Sequence, residues 1–175
     1  LDTARTVAMD FNPLLMLVAK NVVEGKGVEL YEFPIAPKTM NDFAVKRTLS
    51  APKPAGENFL LVLADAMRPP FVKGTFDTVI TPWIIDIVNE DLRVQAARIN
   101  NLLKDGGRWI NFGSLAFSHP DRSRCYSTEE TVDIVESSGF SAPETKEETI
   151  PYMCSPASRH GRRETVFTFA AEKNA

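Results

Sequence analysis

The sequence predicts an α/β fold whose sheet is mostly parallel and ends in an antiparallel strand near the C-terminus. Two short apolar runs, 76–80 and 108–112, flank a stretch at 92–103 in which apolar residues recur at helical spacing. Runs rich in β-branched and aromatic residues are typical of strands buried on both faces. Because a helix joins these two strands, they should be parallel. Two further strand-like runs, 144–152 and 164–172, close the predicted sheet as an antiparallel pair.

The N-terminal part of the chain adds three strands and one helix. The strands are predicted at 6–11, 28–35 and 59–64, and the helix at 14–23. Asn12 is a suitable N-cap, and Pro13 suits the first helical position. The helix is apolar on almost every face, which predicts that it is well buried. Residues 36–58 hold three prolines and a glycine with little periodicity, which indicates a Pro-rich insertion on the surface.

The later helices carry recognisable signals at their ends. Asn89 is predicted to cap the central helix, and Gly106 suits the left-handed position after it. Ser127 and Glu130 form a capping box for a helix that ends near Ser138. These signals place two helices after the insertion.

Length and composition are those of one globular domain spanning residues 1–175. The net charge of −3 gives no general attraction to nucleic acid or to an anionic membrane. No apolar run approaches the roughly 20 residues of a membrane span, and the N-terminus lacks the pattern of a secretory signal. Cys125 and Cys154 lack metal-ligand spacing and are predicted to be free thiols in a reducing cytosol. We therefore expect a cytoplasmic protein that binds neither nucleic acid nor membranes.

Three predicted strands end in or near an acid, namely Asp10, Asp65 and Asp86. In nucleotide-binding α/β folds such an acid holds ribose hydroxyls, and ligands collect at the carboxyl ends of the strands. That fold also needs a preceding strand and a glycine-rich loop, and residues 1–5 are too short to supply them. Two interpretations remain open: the first β-α unit is absent and the domain is N-terminally truncated, which we favour, or the sheet is organised differently. Because a missing middle strand would expose unpaired backbone groups, we expect a homo-oligomer or a partner chain that supplies it.

Five segments together carry a recognisable pattern. They are AMDFNPLLMLVAKNVV at 8–23, YEFPI at 31–35, LADAM at 63–67, FDTVITPWIIDIV at 76–88 and LLKDGGRWINFGSLAF at 102–117. With them the chain resembles the S-adenosylmethionine-dependent methyltransferases of the Rossmann-like class, and more closely the carnosine N-methyltransferase family. The resemblance covers most of the chain and extends weakly into 148–153 and the closing strand.

The resemblance implies a cofactor, S-adenosylmethionine, and a set of site residues. The implied cofactor-binding residues are Asp10, Phe11, Asp65, Ala66, Met67, Thr81, Pro82 and Trp83. Asp10 would hold the ribose hydroxyls and Asp65 would face the adenine. On the substrate side, the resemblance implies that Asp86 holds the methyl acceptor, with further substrate roles for Tyr152 and His119. The chain departs from the family in lacking the glycine-rich loop and in carrying proline at position 82.

Each of these residues also has a simpler structural interpretation. Asp86 suits an imidazole acceptor, because a carboxylate can accept one ring N–H and fix the tautomer; alternatively, it caps the helix that follows. Trp83 and Tyr152 could be core aromatics, and His119 a solvated loop residue. No zinc site or Ser-His-Asp arrangement can be assembled with the two histidines of the chain.

Three hypotheses of function follow from this sequence. The first is an S-adenosylmethionine-dependent N-methyltransferase that acts on an imidazole- or amine-containing small molecule or peptide resembling carnosine. The second is a methyltransferase-like protein that no longer catalyses and serves as a binding or structural partner. The third, a nicotinamide-dependent oxidoreductase, ranks last because the chain lacks a Tyr-x-x-x-Lys pair or comparable proton donor.

Overall fold

The computed structural model describes residues 4–175, so the first three residues of the predicted domain lie outside it. The strands are β1 (Thr6–Asp10), β2 (Val28–Glu32), β3 (Val45–Leu49), β4 (Phe59–Leu63), β5 (Phe76–Pro82), β6 (Leu103–Gly113), β7 (Glu144–Tyr152) and β8 (Arg162–Glu172), and the α-helices are α1 (Pro13–Val23), α2 (Leu92–Leu102) and α3 (Thr128–Ser137). The chain forms two compact units. The first contains Leu1–Pro70 and Met153–Arg162, and the second contains Phe71–Tyr152 and Arg163–Ala175.

The first unit is built on a parallel pair of strands, β1 and β4. Their register runs from Thr6 opposite Phe59 to Asp10 opposite Leu63. The two strands therefore end at the same edge. The Asn12 side chain accepts the N–H groups of the first turn of α1, as the sequence predicts.

The prediction that α1 is well buried is wrong. No residue of the helix is fully buried, and Leu14 is 73% exposed. The paired strands of the first unit form a narrow surface, which can cover only one face of α1. Because α1 has apolar residues on almost every face, its other faces remain exposed.

The insertion at 36–58 contains a strand that the sequence did not reveal. Strand β3 pairs antiparallel with β2, which ends at Glu32, short of the predicted end at residue 35. The pair carries two exposed ion pairs, from Lys46 to Glu29 at 2.6 Å and from Arg47 to Glu32 at 2.8 Å. Because β3 is half polar and mostly exposed, it lacks the apolar run by which the buried strands were recognised.

The second unit contains a four-stranded sheet with the order β5-β6-β8-β7. Strand β5 is parallel to β6 across the α2 crossover, and β8 is antiparallel to β6. Its core is centred on fully buried side chains, namely Ile85, Leu92, Leu103, Trp109, Val135, Val166, Phe167 and Phe169. Parallel pairing with antiparallel C-terminal strands confirms the predicted fold class.

The start of α2 differs from the prediction, because Asp91 caps the helix instead of Asn89. The Arg93 N–H donates to Asp91 Oδ1 at 2.8 Å, while the Glu90 carboxylate accepts two hydrogen bonds from Arg98. Gly106 has the expected positive φ of 70°, but it lies inside β6, near a register shift against β5. The Ser127 capping box at the start of α3 is confirmed.

None of the helices described in residues 4–175 has both the length and the apolar character needed to cross a membrane.

Candidate active site

In the first unit, the two predicted nucleoside-binding acids lie at the carboxyl ends of β1 and β4. The Ala64 N–H donates to the Asp10 carbonyl at 3.1 Å, so the two strand ends are joined directly beyond the ladder. The Asn12 N–H donates to Asp10 Oδ1 at 2.7 Å, and the Met67 N–H donates to Asp65 Oδ1 at 2.8 Å. Each carboxylate is therefore oriented by a backbone donor two residues further along the chain while it stays exposed.

This edge suits the nucleoside part of S-adenosylmethionine. Two oriented carboxylates at neighbouring strand ends can accept hydrogen bonds from a ribose diol and an adenine amine. The residues beside them are apolar, with Phe11 76% exposed and Met67 38% exposed. Ala66, between Asp65 and Met67, is half-buried. An exposed phenylalanine next to an acid at a strand end gives a flat surface on which a planar base can pack.

In the second unit, the Thr81 side chain is part of the core. The Trp109 indole N–H donates to Thr81 Oγ1 at 2.9 Å, and the Thr81 hydroxyl donates to Asn111 Oδ1 at 2.9 Å. Asn111 in turn donates to the Phe167 carbonyl at 3.2 Å. Because the hydroxyl is used in this buried network, a ligand contact by Thr81 would come from its main chain.

Trp83 follows Pro82 at the end of β5 in a left-handed conformation, with φ of 52°. A tryptophan is rarely found there, and such backbone outliers cluster at functional sites. The Trp83 N–H donates to the Phe112 carbonyl at 2.8 Å. The Trp83 ring stacks on Tyr152 with centroids 4.9 Å apart, and it meets Phe112 edge-on at 5.9 Å. We call these three rings the aromatic wall.

Asp86 lies in a turn beyond the aromatic wall and is half-buried. The turn is fixed by Ile85, which is 1% exposed and whose carbonyl accepts a hydrogen bond from Gln95 Nε2 at 3.1 Å. Burial raises the pKa of the Asp86 carboxyl; its own N–H and that of Ala116 oppose the shift, and the charge of Glu164 adds to it. Since Asp91 caps α2, Asp86 does not have the alternative role of helix cap.

His119 lies in the loop after β6, and its described contacts are local. Its Nδ1 accepts the N–H of Asp121 at 3.0 Å, and the Cys125 thiol lies 3.8 Å from its carbonyl oxygen. These contacts tie His119 to its own loop. Both Cys125 and Cys154 are free thiols, as the sequence predicts.

Sequence reasoning missed two polar residues that meet where β6 ends and β8 begins. The Ser114 hydroxyl donates to Glu164 Oε1 at 2.8 Å, although the two residues lie 50 positions apart. The position of Ser114 just after the carboxyl end of β6 was a usable signal, since ligands collect at such strand ends. Glu164 offered none, because its approach depends on the register between β6 and β8.

Parallel strands with acids at their carboxyl ends in one unit, and a parallel–antiparallel sheet in the other, are features of the Rossmann-like methyltransferase class. Solved structures share this fold. YcgJ from Bacillus subtilis superposes with a TM-score of 0.63 and 11% identity over 98% of this chain and 83% of that one. A Bacillus halodurans protein classed provisionally as a methyltransferase gives 0.61 and 12%, over 98% of this chain and 84% of that one. A SAM-dependent methyltransferase from Methanosarcina mazei gives 0.59 and 12%, over 96% and 81%.

At these identities the solved structures establish the fold, and the family comes from a separate comparison. The family profile described as carnosine N-methyltransferase matches residues 34–174. The chain therefore belongs to the carnosine N-methyltransferase family, and it is a methyltransferase that uses S-adenosylmethionine. No curated protein matches the chain.

Proposed function

We propose that this protein is an N-methyltransferase whose acceptor is an imidazole- or amine-containing small molecule or peptide resembling carnosine. The observation that carries the proposal is the half-buried Asp86 carboxylate, in the turn that follows Trp83 and the end of β5. A carboxylate can accept the N–H of an imidazole ring. The family to which the chain belongs supports the same class of acceptor.

Asp10 and Asp65 would hold the cofactor through its nucleoside, with Phe11, Ala66 and Met67 beside the base. In the second unit, Thr81 and Pro82 would offer main-chain contacts to a ligand, and Trp83 would offer its ring. Bound there, S-adenosylmethionine supplies an electrophilic methyl group on a cationic sulfur. Aromatic faces attract such a cation, which is a role that the aromatic wall can perform.

Asp86 would prepare the acceptor for attack. By accepting the N–H of one ring nitrogen, its carboxylate fixes the tautomer in which the other nitrogen presents a lone pair. Methylation makes the ring cationic, so the same carboxylate stabilises the charge that develops and can take the N–H proton afterwards. Tyr152 would position the ring through the aromatic wall, and His119 would contribute from its loop.

The experiment compares single variants of the full-length protein for methyl transfer to carnosine and for calorimetric binding of S-adenosylmethionine. Asp86→Asn should lower kcat/KM for carnosine by about 100-fold or more, the range for positioned catalytic groups, with cofactor affinity within about twofold of wild type. Asp10→Asn should show the opposite pattern, with cofactor affinity reduced by about tenfold.

The matched control is Asp77→Asn, which removes an exposed strand acid that pairs with Lys104 at 2.7 Å. It should leave both measurements unchanged, because exposed ion pairs contribute little. Equal loss of turnover and cofactor binding in Asp86→Asn would contradict the role assigned to Asp86. A wild-type protein that binds the cofactor but does not methylate carnosine, histamine or a histidine-containing peptide would reject the proposed acceptor class.

A further inference from the structure

Gln95 is a polar residue on the buried face of α2, where the other buried side chains are apolar. It is only 5% exposed, and burying an amide is costly unless the amide is hydrogen-bonded. Its Nε2 donates to the Ile85 carbonyl at 3.1 Å and to the Glu90 carbonyl at 3.2 Å. An amide nitrogen carries two hydrogens, so these two bonds use its whole donor capacity. Gln95 is therefore committed to the segment between β5 and α2, residues 84–90, which we call the Asp86 turn.

The two carbonyls that Gln95 holds lie on either side of Asp86 in the chain. The Ile85 carbonyl belongs to the peptide group that joins Ile85 to Asp86, and a peptide group is planar from one Cα to the next. A hydrogen bond that fixes this oxygen therefore fixes the plane that contains the N and Cα of Asp86. The second bond, to the Glu90 carbonyl, holds the far end of the turn against the same helix. Gln95 thus restrains the main chain from which the Asp86 side chain projects.

The hydrogen bonds within the Asp86 turn are long. The N–H groups of Ile87 and Val88 share the Ile84 carbonyl, each at 3.2 Å. Ile87 is 73% exposed, so water has access to this part of the turn. Removal of the Gln95 amide would leave the Ile85 carbonyl without its buried donor, which favours a turn that opens toward water. The carboxylate within the turn would then lose its fixed position.

We propose that Gln95 is a positioning residue of the acceptor site, which holds the Asp86 turn in place through its two hydrogen bonds to the main chain. This inference rests on the proposed function of Asp86. Loss of the Gln95 amide should misplace the Asp86 carboxylate. It should not affect the cofactor-binding acids Asp10 and Asp65, which belong to the first unit.

The experiment compares variants of two amide residues on α2. Gln95→Met keeps the length of the side chain but has no amide hydrogens, and Gln95→Ala shortens the side chain as well. The matched control is Asn100→Leu, because Asn100 Nδ2 also donates to a main-chain carbonyl, that of Gly139 at 3.1 Å, which follows the end of α3. Asp86→Asn, alone and combined with Gln95→Met, completes a double-mutant cycle. Each full-length protein is measured for methyl transfer to carnosine and for calorimetric binding of S-adenosylmethionine.

Gln95→Met should lower kcat/KM for carnosine by roughly 10- to 100-fold, as loss of orientation does, while cofactor affinity stays within about twofold. In the Asp86→Asn background the same change should cost less than about threefold, because no carboxylate remains to be positioned. A residue that merely stabilised the fold would cause the same loss in both backgrounds. Asn100→Leu should keep turnover close to that of the wild type. Wild-type turnover in Gln95→Met, equal losses in both backgrounds, or unfolding of both Gln95 variants would overturn the proposal.

A second measurement does not depend on the identity of the acceptor. Amide hydrogen exchange, followed by NMR, reports how often the N–H groups of Ile87 and Val88 leave the Ile84 carbonyl. In Gln95→Met their exchange rates relative to the amides of β6 should rise by about tenfold, the effect of losing roughly one hydrogen bond, whereas in Asn100→Leu this ratio should not change. An unchanged ratio in Gln95→Met would refute the link even if carnosine is not methylated, whereas failure of methylation by the wild type would reject only the acceptor class.

Discussion

A Cβ atom added at Gly113 would strike the backbone of Trp83. Built on the present main chain, it would lie 3.0 Å from both the Cα and the N of Trp83, a separation that real Cβ contacts rarely show. Because the obstructing atoms belong to the main chain, no change of rotamer can relieve the contact. Gly113→Ala should therefore push the end of β5 away from β6 and weaken the bond from the Trp83 N–H to the Phe112 carbonyl.

The expected loss follows from two contributions. Forcing one extra methyl into a packed site costs about 1–3 kcal/mol, and weakening one backbone hydrogen bond costs up to about 1 kcal/mol. A total on the order of 2–3 kcal/mol corresponds to a fall in Tm of roughly 5–10 °C for a chain of this size. Turnover should fall as well, because Trp83 leaves its stack on Tyr152.

Urea denaturation, thermal melting and methyl transfer to carnosine measure these losses. The control is Gly27→Ala, whose Cβ would lie 3.5 Å from Thr48 Cγ2, an ordinary contact. Gly27→Ala should be close to neutral, because neither its backbone nor its surroundings oppose a methyl group. A Gly113→Ala protein with the same urea midpoint and turnover as the Gly27→Ala protein would refute the reasoning.

Three further outcomes are expected. Because burial raises the pKa of Asp86, Asp86→Asn should increase the free energy of unfolding at neutral pH, and the gain should shrink as pH falls toward the ordinary aspartate value of 3.8; a constant gain across pH 4–8 would contradict this. Although burial raises the pKa of Asp91, the Arg93 N–H, the Tyr126 hydroxyl and the charge of Arg93 lower it overall. Asp91→Ala should therefore lose about 1–3 kcal/mol of stability at pH 7, and chemical denaturation should show the difference vanishing as pH falls below 3.8; an equal loss at acid pH would refute it. In thiol labelling of the native protein, the exposed Cys154 should react faster than the half-buried Cys125, and equal rates would contradict the structure.

Local rules were sufficient for much of the fold. Asn12 and Ser127 were identified as caps because N-cap chemistry needs only residues within one helical turn. The parallel pair β5 and β6 followed from two buried runs joined by a helix. The start of α2 was placed wrongly because Asn89 and Asp91 are both favoured N-cap residues, and tertiary contacts decided between them. Glu90 pairs with Arg98, while Asp91 also accepts the Tyr126 hydroxyl at 2.8 Å.

Position in the sequence was a weaker guide to what each side chain does. The sequence placed Thr81 near the carboxyl end of β5, and it lies there, but its hydroxyl is used by Trp109 and Asn111 in the core. The alternation of residues along a strand indicates which face of the sheet a side chain lies on, but it does not indicate which residue the side chain bonds to. For the same reason Glu164 could not be found, since its contact with Ser114 joins two ends of antiparallel strands that are far apart in the chain.

The segment from Thr81 to Asp86 contains two features that a sequence selected for stability alone would avoid. Trp83 has a left-handed backbone, and Asp86 is an acid whose charge is disfavoured by burial. Such departures are expected where function requires them. Gly113→Ala and Asp86→Asn test this from opposite directions, because the first should lose stability and activity together, whereas the second should gain stability at neutral pH while losing activity. If Asp86→Asn lost stability as well as activity, Asp86 would be a structural residue, and folding alone would explain the segment.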